Sequence, residues 1–258
     1  MERKNILNII KDDFQKAKSS KPLKITFFVL LSFVFIAATT SLLNLSYQRS
    51  LSFLERMHST DVNITAMCIC LFIPFFISIS TSKDDIVKKP ISYIVSKLVF
   101  AVAYVIVMYL LYVVINLLLH LIFVNAMIDN SGTLNSSDVS LEKSIGYACS
   151  NCLILCALSI VVANVSIMLN NLILSLVVIV PYSTFISSYL YSRIYMAFSS
   201  HLIYKITLLG NVYNMRNYYG DTAQILTAIG VCAVYVALSM VLCILVNKGR
   251  AKKISIES

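Results

Sequence analysis

The chain has 258 residues, 59% of them hydrophobic and only 13% charged, with a formal net charge of +9 and a mean hydropathy of +0.83. A soluble domain runs at about 45–50% apolar and about 25% charged, so this composition excludes one and points to an integral membrane protein. The basic excess does not indicate nucleic acid as a partner, because Lys and Arg gather at the ends of apolar runs, where they act as topology signals and lipid headgroup contacts.

Residues 2–18, ERKNILNIIKDDFQKAK, place Ile6, Ile9, Ile10 and Phe14 at helical spacing among Lys4, Lys11, Asp12, Lys16 and Lys18. This pattern predicts an amphipathic helix lying in the cytoplasmic interface, the alternative being a solvated basic arm. Pro22 ends it before the first apolar run. The charged opening, followed by a run of full spanning length, predicts that this run is retained rather than cleaved as a signal peptide.

Six apolar runs follow, at 25–45, 62–82, 98–124, 145–169, 172–191 and 223–246, and none contains Asp, Glu, Lys or Arg. At 1.5 Å rise per residue each can cross a hydrocarbon core of about 30 Å. The third is longer than it needs to be and is expected to tilt or project. With the N-terminus inside, fifteen Lys and Arg fall on the inner side and six on the outer, which puts both termini in the cytoplasm. The expected fold is a single all-α polytopic membrane domain of six spans.

The connections are distinct in character. Residues 83–97, KDDIVKKPISYIVSK, form a charged island between the second and third runs. A charge at the bilayer centre costs about 2.5–3.5 kcal/mol, so the chain must leave the membrane here and return as a cytoplasmic elbow. A short polar segment hung between two spans is a place for an outside machine to push, with Asp84, Asp85, Lys88 and Lys97 as candidate contacts.

Residues 46–60 suit a surface helix, and 125–143 a plain polar outer loop. Asn170 and Asn171 alone separate the fourth and fifth runs, which forces an antiparallel helical hairpin. Residues 192–221 hold Tyr195, Tyr204, Tyr213, Tyr218 and Tyr219. Tyrosine belongs at the membrane surface, so 196–209 reads as a short re-entrant or interfacial helix turning back near Gly210, or else as an outer loop with aromatic anchors.

Catalytic chemistry has little to rest on. No HExxH, G-x-S-x-G or GxxxxGK[ST] occurs, and His58, His120 and His201 are scattered. No catalytic residue, metal site or cofactor is therefore expected in this chain. Asn116 and His120 share a helical face, where a hydrogen-bonded helix contact is expected. The seven cysteines are expected as buried reduced thiols, although Cys149, Cys152 and Cys156 fall on one face.

A proton- or sodium-coupled carrier normally holds an ionisable residue at the midplane and interrupts its helices there. These runs hold no ionisable acid or base beyond His120, with only Gly146, Gly230, Pro74 and Pro181 as breakers. The energy source is expected in a separate partner. Phe72, Phe75 and Phe76 surround Pro74, and Tyr182 and Phe185 follow Pro181. If the second and fifth runs face one another, these residues line an aromatic cavity for an apolar or peptide cargo; packing against lipid is the alternative.

The layout resembles the ABC-2 type transporter permeases, in the branch of bacterial peptide-export and lantibiotic-immunity permeases similar to the phenol-soluble-modulin exporters. The opening NILNIIKDDF looks like the family's usual start, and Ser96-Lys97-Leu98 like the serine-lysine-leucine that enters its third span. In the elbow the branch shows an acidic residue followed by Gly-Thr; here Asp84 and Asp85 stand for the acid and no Gly-Thr follows.

The resemblance implies a permease subunit that is not itself an enzyme. ATP and magnesium would sit on a cytoplasmic ABC ATPase, two copies per pump, working with two permease chains. The implied cargo is an amphipathic or antimicrobial peptide, and the implied location the plasma membrane of a low-GC Gram-positive bacterium. A stand-alone carrier or channel and a membrane-embedded enzyme are the alternative classes.

Overall fold

A computed structural model describes residues 6–46, 62–81, 90–131, 141–183, 205–214 and 221–257. Among them the regular structure is helical: α1 (Ile6–Ser19), α2 (Lys21–Ser46), α3 (Val62–Ser80), α4 (Pro90–Ser131), α5 (Leu141–Leu169), α6 (Leu172–Ser183), α7 (Leu208–Asn214) and α8 (Thr222–Glu257). Ile91–Leu119, Ile145–Leu169 and Thr222–Arg250 are long and apolar enough to cross a membrane. A fourth candidate is the pair Leu7–Ser19 and Lys21–Ile36, if these two helices, bent by 74° at Ser20, are counted together. Thr65–Ser80 is a shorter apolar helix.

The local chemistry explains several boundaries. Ser20 begins α2 as an N-cap, its Oγ accepting from the Leu23 amide at 3.5 Å, so the turn between α1 and α2 falls just before Pro22. Pro90 opens α4, where its missing N–H is no loss because the first helical amides have no partner in any case. The helix of the third run therefore begins within the predicted elbow, and 90–97 form its first two turns. At its other end α4 continues to Ser131, so 125–131 are helical where a polar loop was expected. Asp221 caps α8, accepting from the Gln224 amide at 3.0 Å and the Gln224 side chain at 2.6 Å. These bonds hold its carboxyl below the usual carboxylate range.

The link between α5 and α6 combines two caps. Asn170 adopts φ 49°, the left-handed conformation that ends helices, and its amide reaches the Ser166 carbonyl at 2.9 Å. Asn171 then caps α6 through its Oδ1, 3.1 Å from the Leu174 amide. Arg250 of α8 donates to the carbonyls of Ile167, at 3.1 Å, and Met168. A guanidinium thus closes the C-terminal end of α5, where the helix dipole favours a cation.

Helix α5 is central and packs against α3, α4, α6, α7 and α8. Ser159, Ala163 and Ser166 are buried on one face of α5, small side chains of the kind found where membrane helices pack together. Asn164 donates to Ser239 of α8 at 3.0 Å, a polar tie across the bundle. The opposite faces are apolar and bare: Leu226, Val234, Leu238 and Leu242 of α8, and Leu110, Val114 and Leu118 of α4, are all more than half or nearly half exposed. Such stripes are suited to lipid rather than water.

The helices run without interruption through Pro74, Gly146, Pro181 and Gly230. Gly210 lies inside α7, its amide donating to the Thr207 hydroxyl at 3.1 Å, and the helix proceeds to Asn214. The remainder of the predicted re-entrant stretch, 192–204 and 215–220, lies outside the described residues, as does the predicted surface helix over 47–60.

The turn can be tested by substitution. Asn170→Gly should leave the thermal melting of the detergent-purified protein unchanged or slightly higher. Asn170→Val should cost about 1–2 kcal/mol, because a side chain branched at Cβ is strained at positive φ.

Candidate functional site

Helix α1 carries the stripe Ile6, Ile9, Ile10, Asp13, Phe14 and Ala17, so a single carboxylate stands in an otherwise apolar face. Helix α4 carries Tyr93, Ser96, Lys97, Phe100 and Tyr104 on one side by the same periodicity. The two faces meet, and Asp13 and Lys97 are 2% and 1% exposed. Lys97 Nζ donates to Asp13 Oδ1 at 2.6 Å and to the Ser80 carbonyl at 3.2 Å. Ser96 Oγ donates to Asp13 Oδ2 at 2.5 Å. Both carboxylate oxygens are therefore engaged, one by a cation and one by a hydroxyl, which is the condition for burying such a pair.

Three elements converge on the Lys97–Asp13 pair. Asp13 comes from α1, Ser96 and Lys97 from the second turn of α4, and the Ser80 carbonyl from the last turn of α3. A second tie lies beside it: the Thr81 hydroxyl donates to the Ile77 carbonyl at 2.5 Å and shares a 2.6 Å hydrogen bond with the Tyr93 hydroxyl. Residues 77–81 and 93–97 lie on the two sides of 82–89, so the two helix ends are bonded to each other, and α1 is bonded to the second of them through Ser96 and Lys97.

Aromatic rings enclose the pair. The Lys97 ammonium lies 5.3 Å from the Phe76 ring centre and 5.2 Å from that of Tyr93, an attraction that strengthens away from water. Phe76 stacks on Phe100 with centroids 3.6 Å apart, and Phe72 stacks on Tyr104 at 4.1 Å. Phe14 of α1 meets Phe100 at 5.0 Å. The matched spacing, Phe72 and Phe76 against Tyr104 and Phe100, fixes the register of α3 on the antiparallel α4. A polar pocket of about 480 Å³, lined by Asp12, Gln15, Lys16 and Ser19 of α1 with Tyr93, leads to the ion pair.

The residues singled out from the sequence are distributed as follows. Lys97 is a buried ion-pair partner of Asp13, with its ammonium turned into the protein. Asp84, Asp85 and Lys88 lie outside the described residues. Phe72 and Phe76 are buried against α4, and Phe75 is half-buried. Helix α3 also packs on α6, which carries Pro181 and Tyr182, while Phe185 lies outside the described residues. Asn116 turns its amide onto the Tyr112 carbonyl of its own helix at 2.9 Å, and the His120 side chain lies outside what is described.

All seven cysteines are free; Cys68, Cys70, Cys232 and Cys243 are buried, Cys152 and Cys156 are half-buried, and Cys149 is exposed. Among the described residues no group of three His, Cys, Asp or Glu is placed to hold a metal ion. Sequence reasoning passed over Asp13. The signal was its position, four residues after Ile9 and seven after Ile6, which is on the apolar stripe and not on the charged face.

The chain matches no protein-family model and no curated protein.

The pair makes an asymmetric prediction. Asp13→Ala leaves the Lys97 ammonium buried without its carboxylate and should destabilise the detergent-purified protein by about 3–5 kcal/mol in thermal unfolding. Asp13→Leu combined with Lys97→Met should recover most of that loss. Equal destabilisation by the single and double variants would mean that the pair is not a closed unit.

Proposed function

We propose that the chain is the permease subunit of an exporter whose ATP-hydrolysing subunit is a separate polypeptide. In this reading α2, α3, α4, α5, α6 and α8 mark six spans with both termini in the cytoplasm, and two such chains work with two ATPases. The cargo is an amphipathic or antimicrobial-type peptide, and the membrane a bacterial plasma membrane.

The observation that supports it most directly is the convergence of α1, the end of α3 and the start of α4 on the Lys97–Asp13 pair. Residues 82–89 join two helix ends that are bonded to each other, the second of them also to an amphipathic helix. A load applied to this connector is therefore delivered to α1 and α3 together. Helix α3 packs against α6, which offers a route from the connector to the second and fifth spans. The absence of Asp, Glu, Lys and Arg from the six apolar runs also favours an energy source outside the chain.

Lys97 acts in this scheme inside the chain, by holding α1 to the connector. Asp84, Asp85 and Lys88 are the residues proposed to meet the ATPase itself. The motion would be a two-state shift of packed helices biased by the partner, which small displacements at one end can drive because packed cores are bistable.

Co-expression with an ATPase encoded beside it tests the proposal. The chain should retain that ATPase through purification and change its rate of ATP hydrolysis, and Asp84→Ala/Asp85→Ala should reduce this effect severalfold without lowering expression. Failure to retain the ATPase, with hydrolysis unchanged, would contradict the reading.

A further inference from the structure

The 74° bend between α1 and α2 opens a groove of about 610 Å³ that α3 and α4 close from behind. Its floor is apolar and largely aromatic, formed by Phe14, Phe27, Phe72, Phe100 and Tyr104. Lys18, at the end of α1, and Lys24, at the start of α2, stand on its wall, and both are exposed. Among the described residues no acidic side chain lines it; the acids of α1, Asp12 and Asp13, line the separate polar pocket. The groove thus joins a hydrocarbon-compatible floor to a cationic rim at the junction of an amphipathic helix and an apolar one.

We propose that this groove is a binding site for an anionic phospholipid, with an acyl chain on the aromatic floor and the phosphate between Lys18 and Lys24. The volume falls within the range of about 300–1,000 Å³ typical of small-molecule sites. Charge selects the occupant. A cationic amphipathic peptide would bring like charge to the two lysines, and a neutral amphiphile would leave them without a counter-ion, whereas an anionic headgroup satisfies both. Basic side chains at such a position keep their stems on apolar surface while the ammonium reaches the headgroup layer. The inference requires only that α1 lies at the membrane surface, so it stands whether or not the chain binds an ATPase.

Native mass spectrometry of the full-length chain, titrated in detergent with phosphatidylglycerol or phosphatidylcholine, tests the site. Phosphatidylglycerol should bind with a saturable first site, and phosphatidylcholine should not compete for it. Lys18→Gln/Lys24→Gln should weaken that first site by about twentyfold, since each basic residue near an anionic headgroup contributes roughly a fivefold affinity. Lys11→Gln/Lys16→Gln removes the same charge from exposed positions that do not line the groove and should leave it unchanged. Ala103→Trp, which fills the groove behind the rim, should abolish the first site with both lysines in place. Equal losses from the two lysine pairs, equal binding of the two lipids, retention in Ala103→Trp, or displacement of phosphatidylglycerol by a cationic amphipathic peptide would each overturn the proposal.

Discussion

A carboxylate buried among aromatic rings is tolerable only if its charge is met where it lies, and that constraint organises the junction of α1, α3 and α4. Asp13 is met by the Lys97 ammonium and the Ser96 hydroxyl, and Lys97 in turn by the Ser80 carbonyl. An apolar contact among α1, α3 and α4 would allow sliding by a turn at modest cost. An ion pair within an apolar shell does not, since any displacement leaves a charge unpaired in a medium where that is expensive. The Phe76–Phe100 and Phe72–Tyr104 stacks reinforce the same register from the membrane side.

The rest of the bundle is held differently. Around α5 the buried side chains are mainly apolar, Leu155, Leu158 and Val162 among them, with isolated polar ties such as Asn164 to Ser239, a kind of tie that in a membrane contributes on the order of 1 kcal/mol. The two regimes divide the described residues into a core that packs by shape and a junction of α1, α3 and α4 that is keyed by charge. The exporter reading depends on this division, because a junction with one allowed register transmits displacement, while a shape-packed core can take up a new arrangement.

The apolar runs were legible in the sequence because hydrocarbon excludes charge, and the Asn170–Asn171 turn because two residues can join helices in few ways. Helix ends were less so. The charge of Lys97 marked it as lying outside the membrane, yet the helix already begins at Pro90 and Lys97 is inside the protein. Asp13 was hidden for the complementary reason: a helix scanned for its apolar residues reports Ile6, Ile9, Ile10 and Phe14 and passes over the acid between them. Two charges far apart in sequence each look like boundary residues, and only the tertiary fold shows that each is the reason the other can be buried. The Phe72 and Phe76 rings illustrate the same gap. Their i, i+4 spacing places them on one face, but which neighbour that face meets, here α4, is not written in the local pattern.

The central claim is that Asp13 and Lys97 form a closed pair inside the folded chain. It is tested most directly by amine acylation of the native protein, mapped residue by residue by mass spectrometry. Lys97 should remain unmodified under conditions that fully label Lys11 and Lys16 on the same junction, and should become reactive only on unfolding. Labelling of Lys97 at the rate of those two exposed lysines would contradict the account.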